Sequence, residues 1–132
     1  MSAFRLVLCC LAVIAWGSPA RAQDVCGTVN GATIIAQDSQ NTFLGRVINS
    51  FDRESIFNEF GNYGSEFSRT SIWNQFGTYG SEFNKLSPFN EFTDKPPMII
   101  KNGKVIGYLS ANQNLRGAIA PNLLKALCAD VL

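Results

Sequence analysis

The chain has 132 residues, 46% of them apolar and 16% charged, which is the composition of a folded domain of ordinary size rather than of a disordered segment. Eleven basic against ten acidic side chains give a net charge of +1 with no basic cluster, which excludes a surface built to neutralise nucleic-acid phosphates. Histidine is absent, so imidazole acid–base chemistry, His-dependent triads and His-based metal sites are excluded together.

Residues 1–22 read as a secretory signal peptide. Arg5 supplies the positive start, Leu6 to Trp16 an uncharged apolar stretch, and Ala20-Arg21-Ala22 a small-x-small cleavage pattern. A membrane anchor is disfavoured, because Gly17, Ser18 and Pro19 interrupt the run and the remainder is too short for about 30 Å of hydrocarbon. A lipidated cysteine would close the apolar stretch, whereas Cys9 sits near its beginning. Cleavage after Ala22 leaves residues 23–132 as one exported domain, periplasmic or secreted, with no membrane span. It also removes Arg5, Arg21, Cys9 and Cys10, leaving nine basic and ten acidic side chains and two cysteines. In an oxidising compartment that pair predicts a Cys26–Cys128 disulfide joining the ends of the domain. On the chain-entropy model so long a loop is worth roughly 4–5 kcal/mol. Neither cysteine belongs to a C-x-x-C pair, and no redox or metal role is expected of them.

After Cys26, residues 32–36 and 42–48 have the composition of β-strands, joined by the polar turn Gln37-Asp38-Ser39-Gln40. The centre is a tandem repeat, occupying about residues 44–92. Residues 55–70 read SIFNEFGNYGSEFSRT and residues 71–86 read SIWNQFGTYGSEFNKL, identical at 10 of 16 positions. A third unit starts at Ser87 as SPFNEF and stops before Pro96-Pro97. Leu44-Gly45, Val47 and Phe51 form a degenerate half-unit upstream, as end units of a repeat often do. Ser55 and Ser71 suit helix N-caps, and Gly61 and Gly77 suit the positive φ that closes a helix, which predicts one helical turn over 56–60 and over 72–76. Residues 63–67 and 79–83 read as extended or turn-like, with Gly64 and Gly80 allowing close backbone contact.

Eleven aromatic residues lie between Phe51 and Phe92. The phenylalanines are expected to stack unit on unit as the core, each burying some 150–250 Å². Tyr63, Trp73 and Tyr79 combine a flat face with a polar group and are the candidate binding residues, for a protein or a glycan. Asn58, Asn74 and Asn90 recur as amides suited to satisfying turn backbone. Glu59, Glu66, Glu82 and Glu91 raise the alternative of a carboxylate-dependent glycan hydrolase, which needs two carboxylates about 5–10 Å apart in different environments. Equivalent acids in successive repeats have similar environments, and solvated edges explain them better. No D-x-[DN]-x-[DN]-G calcium loop is present.

Beyond the repeats, residues 97–101 and 104–109 flank Asn102-Gly103, the preferred dipeptide of a type I′ hairpin turn. Pro121 opens a C-terminal helix in which Leu123, Leu124, Leu127 and Val131 form an apolar stripe, with Cys128 inside it. The arrangement from Leu44-Gly45 through the S-I-[FW]-N-x-F-G-x-Y-G-S-x-F units to Pro-Pro-x-Ile-Ile and Gly-Tyr-Leu resembles a group of uncharacterised bacterial proteins with such tandem units, over roughly residues 42–115. That resemblance implies a shared architecture and a bacterial origin; it assigns no activity or site residue, and the cysteine pair is outside it. The expected fold is a small single α+β domain: antiparallel strands and a hairpin, a short C-terminal helix, and central aromatic repeat coils. The expected function is a non-catalytic binding or structural module, without cofactor, metal or nucleic acid. A bare spacer is the blandest alternative.

Overall fold

Short runs of β-branched and aromatic residues, bounded by turn formers, build a five-stranded sheet. The computed structural model describes residues 25–132, and the signal-peptide reading, with Cys9 and Cys10, lies outside the described residues. The strands are β1 (Thr33–Ile35), β2 (Phe43–Arg46), β3 (Met98–Lys101), β4 (Lys104–Leu109) and β5 (Ala118–Ile119), in the order β2-β1-β3-β4-β5. Pairing is antiparallel except between β4 and β5. The β3–β4 turn is the predicted one, since Asn102 and Gly103 both take positive φ, 54° and 75°. A helical segment over residues 25–29, α1, carries Cys26, and α2 (Pro121–Cys128) starts with proline at its first turn. The predicted disulfide joins them, with Cα atoms 5.4 Å apart across a sequence separation of 102. The chain is thus a small α+β domain.

The repeats leave the sheet from β2 and return at β3. Their backbone begins as a continuation of the sheet edge: Arg46 N–H donates to the Glu54 carbonyl at 2.7 Å, and Ile56 N–H to the Arg46 carbonyl at 3.0 Å. At the far end Ala111 N–H donates to Pro88 O at 2.7 Å, closing the third unit back onto the exit from β4. Ile34, Leu44, Ile99 and Leu109, one from each of four strands, share a fully buried cluster with Leu124 of α2 and with Ile56 and Ile72 of the repeats. The stripe expected on α2 is only half used. Leu124 is buried and Leu127 packs at the margin, while Leu123 and Val131 face solvent.

No helical turn forms in the repeats; the backbone there is a train of tight turns with a three-residue step. Ser55, Asn58 and Gly61 N–H groups each donate to the carbonyl three residues back, at 3.2, 3.2 and 3.0 Å, and Ser71, Asn74 and Gly77 repeat the pattern at 3.2, 3.4 and 3.0 Å. At the head of each step a Ser or Asn side chain accepts the N–H two residues on: Phe57 to Ser55 Oγ, Phe60 to Asn58 Oδ1, Phe67 to Ser65 Oγ, Trp73 to Ser71 Oγ, Phe76 to Asn74 Oδ1 and Phe83 to Ser81 Oγ, all at 3.0–3.3 Å. Ser55 and Ser71 therefore do satisfy backbone donors, but each turn is followed by another turn. Asn58, Asn74 and Asn90 also donate an amide hydrogen to the carbonyl six residues back, at 3.1, 3.0 and 3.2 Å, tying two successive steps together.

Gly61 and Gly77 do not take positive φ, contrary to the helix-closing role expected of them. Each instead ends a run of three-residue steps, its carbonyl accepting Ser65 or Ser81 N–H at 3.0 Å across a four-residue link. Four three-residue steps and one four-residue link make up the 16-residue period. Gly64 and Gly80 fit the close-contact reading: a Cβ there would overlap the carbonyl oxygen of Asn58 or Asn74.

Candidate functional site

The turn train determines which side chains look outward. The triplets Ser55-Ile56-Phe57, Ser71-Ile72-Trp73 and Ser87-Pro88-Phe89 point at the sheet, with all three serines and Ile56, Ile72 and Pro88 fully buried. The triplets that pair phenylalanine with a charged or amide neighbour point away. Phe51, Phe60, Phe67, Phe76, Phe83 and Phe92 are 83–98% exposed. The expectation that the repeat phenylalanines form the core is therefore corrected: Phe57 alone is buried and Phe89 is half-buried. The physical reason is that the second residue of each triplet shares the environment of the third, and a Glu or Gln beside the ring would be dragged into the interior with it. Isoleucine and proline fill the core in their place.

Phe67, Phe76 and Phe83 stand around a cleft of about 960 Å³ whose lining includes Trp73 and Phe89. Trp73 is anchored from below, its Nε1–H donating to the Ile56 carbonyl at 2.6 Å, and it meets Phe89 in an edge-to-face contact with centroids 5.8 Å apart. Lys125 of α2 places its ammonium 4.5 Å from the Trp73 ring centre and 3.9 Å from a Glu59 carboxylate oxygen, so α2 forms one wall. Glu66 and Glu82 line the same cleft, exposed and in equivalent repeat positions. An acid and a base of a glycosidase need unlike surroundings, which two solvated copies of one position do not provide.

Tyr79 lies elsewhere. It borders a second cleft of about 640 Å³, with Arg69, Thr42 and the other side of Phe76. Its hydroxyl donates to Asp38 Oδ2 at 2.8 Å, and Asp38 also accepts from Thr42 Oγ1 at 2.6 Å and Thr42 N–H at 2.9 Å. Burial opposes ionisation of Asp38, but these hydrogen bonds outweigh it and hold the carboxyl below its ordinary value. The Thr42 hydroxyl alone would lower the Tyr79 phenol; burial and the Asp38 carboxylate outweigh it and push the phenol up. Tyr63 packs edge-on against Phe43 of β2, centroids 4.9 Å apart. Of the three candidate residues, Trp73 and Tyr79 thus open onto two clefts that share Phe76 as their divide, and Tyr63 braces the sheet edge. Five of the six exposed phenylalanines carry a signal of their surface position in the adjacent Glu or Gln, in Glu59-Phe60, Glu66-Phe67, Gln75-Phe76, Glu82-Phe83 and Glu91-Phe92; Phe51, which follows Ser50, does not.

No family model matches the chain, and neither a curated protein nor a solved structure matches it. Among the described residues no helix is long and apolar enough to cross a membrane.

Proposed function

We propose that the chain is an exported, non-catalytic binding module that engages a partner, protein or glycan, on its aromatic repeat face. The observation that carries this reading is the set of six solvent-facing phenylalanines recurring at the repeat spacing on a backbone whose turns satisfy their own hydrogen bonds. Monomers rarely expose a contiguous apolar patch beyond about 300–600 Å², and a larger one marks an interaction surface. Export is supported by the leader and by the disulfide, a bond that persists in periplasmic or extracellular surroundings. The test is retention on immobilised polysaccharides and on immobilised proteins of the exported fraction. Wild type should be retained, and the Phe67→Ser/Phe76→Ser/Phe83→Ser variant released with an unchanged circular dichroism spectrum; equal behaviour of the two would overturn the reading.

A carboxylate-dependent glycan hydrolase is the second reading, favoured only by the meeting of Glu66 and Glu82 at one cleft. Turnover of a glycan by the wild type that is abolished by Glu66→Gln or Glu82→Gln, with the fold retained, would move the assignment to that class.

A further inference from the structure

Phe76 lines two clefts of unlike charge: Glu66 and Glu82 line one together with Lys125, whose ammonium is held by Glu59 and the Trp73 ring, and Arg69 lines the other. Glu66, Glu82 and Arg69 are unpaired among the described residues, where the salt bridges are Arg46–Glu54 and Lys125–Glu59. The same alternation recurs with the repeat, because Arg53, Arg69 and Lys85 occupy equivalent positions, as do Phe60, Phe76 and Phe92. A surface carrying acid, ring and base side by side is complementary to itself. A two-fold axis beside Phe76 would turn the acidic side of one copy towards the basic side of the other, so that Arg69 can face Glu66 or Glu82 with the reverse contact following by symmetry.

The rings supply much of the area an interface needs: at about 150–250 Å² per ring, Phe67, Phe76 and Phe83, which line one cleft, offer some 500 Å². A standard interface takes about 800 Å² from each partner, with buried aromatics at its centre and charges at its rim.

We infer that the aromatic repeat face is the interface of a two-fold dimer of this chain, with Phe76 at its centre and Arg69 paired across it to Glu66 or Glu82. This rests on reading the face as a binding surface and names its partner as a second copy. The test is sedimentation velocity on the full chain as purified after export, over a dilution series. Wild type should reach a dimer. Phe76→Asp should raise the dimer dissociation constant by at least about tenfold, as loss of a central ring does at other interfaces. Arg69→Glu should weaken the dimer, and combining it with Glu66→Arg or Glu82→Arg should restore it, which a general loss of stability would not do. Phe76→Ser serves as the second variant if Phe76→Asp does not fold. A wild type that stays monomeric throughout, or a dimer indifferent to both Phe76 variants, overturns the inference. If the monomeric wild type is still retained on a polysaccharide or another protein through its phenylalanines, the binding-module reading survives; if it is retained on nothing, both fall.

Discussion

Ile72 and Phe76 lie in the same repeat unit, and the structure gives them opposite weights. Ile72 is fully buried in the shared cluster, so Ile72→Ala removes a branched side chain from the interior and should cost about 2–5 kcal/mol through lost transfer energy and the cavity left behind. Phe76 is 90% exposed. Only about a tenth of a ~200 Å² side chain leaves water, and ~20 Å² at ~25 cal/mol/Å² makes Phe76→Ala worth about 0.5 kcal/mol. Urea unfolding followed by circular dichroism, on samples dilute enough that association adds nothing, measures both costs. Ile72→Ala should move the midpoint far down and Phe76→Ala scarcely at all, with the slope unchanged. A Phe76→Ala cost equal to that of Ile72→Ala would refute the assignment of interior and surface.

Gly80→Ala should destabilise by roughly 1–3 kcal/mol or prevent folding, because the added methyl overlaps the Asn74 carbonyl and lies 2.8 Å from the Ile72 carbonyl oxygen; thermal melting measures it. Cys26→Ser or Cys128→Ser, each opening the 102-residue loop, should cost about 4 kcal/mol and lower Tm by roughly 15–25 °C. Tyr79→Phe should cost about 1 kcal/mol by removing the hydroxyl that donates to Asp38. Because Asp38 has its folded pKa depressed, its contribution is complete above the ordinary aspartate value of about 4 and fades as pH falls through the lower folded value. Below pH ~4 both proteins should therefore lose stability, since Thr42 still bonds Asp38 in the variant, and the gap between wild type and Tyr79→Phe should narrow, as urea midpoints taken across the acid range would show.

The parts of the fold that local chemistry dictates were legible. Asn102-Gly103 set the hairpin, Pro121 the start of α2, and the cysteine pair the closure of the domain. β5 went unread because two residues carry no periodicity; its place beside β4 comes from a backbone bond, Tyr108 N–H to the Gly117 carbonyl at 3.0 Å. Within the repeats, the 16-residue duplication was plain but masked the three-residue step beneath it, in which Ser, Asn, Asp or Thr heads nearly every turn. Serine and glycine at fixed offsets suit a helix cap as well as a chain of turns, so residue identity alone did not separate the two. Aromatic abundance then suggested a core of rings. The neighbours decide otherwise: Ile or Pro beside a ring marks the inward triplets, Glu or Gln the outward ones. The candidate trio was drawn by residue type, and the turns distribute it over two clefts and a sheet edge.

Hydroxyl-radical footprinting of the dilute monomer, read at residue level by mass spectrometry, bears most directly on the aromatic face. Phe51, Phe60, Phe67, Phe76, Phe83 and Phe92 should oxidise rapidly while Phe57 stays protected. Protection of all seven rings alike in the monomer would place them in a shared interior and remove the surface on which the binding role and the dimer depend.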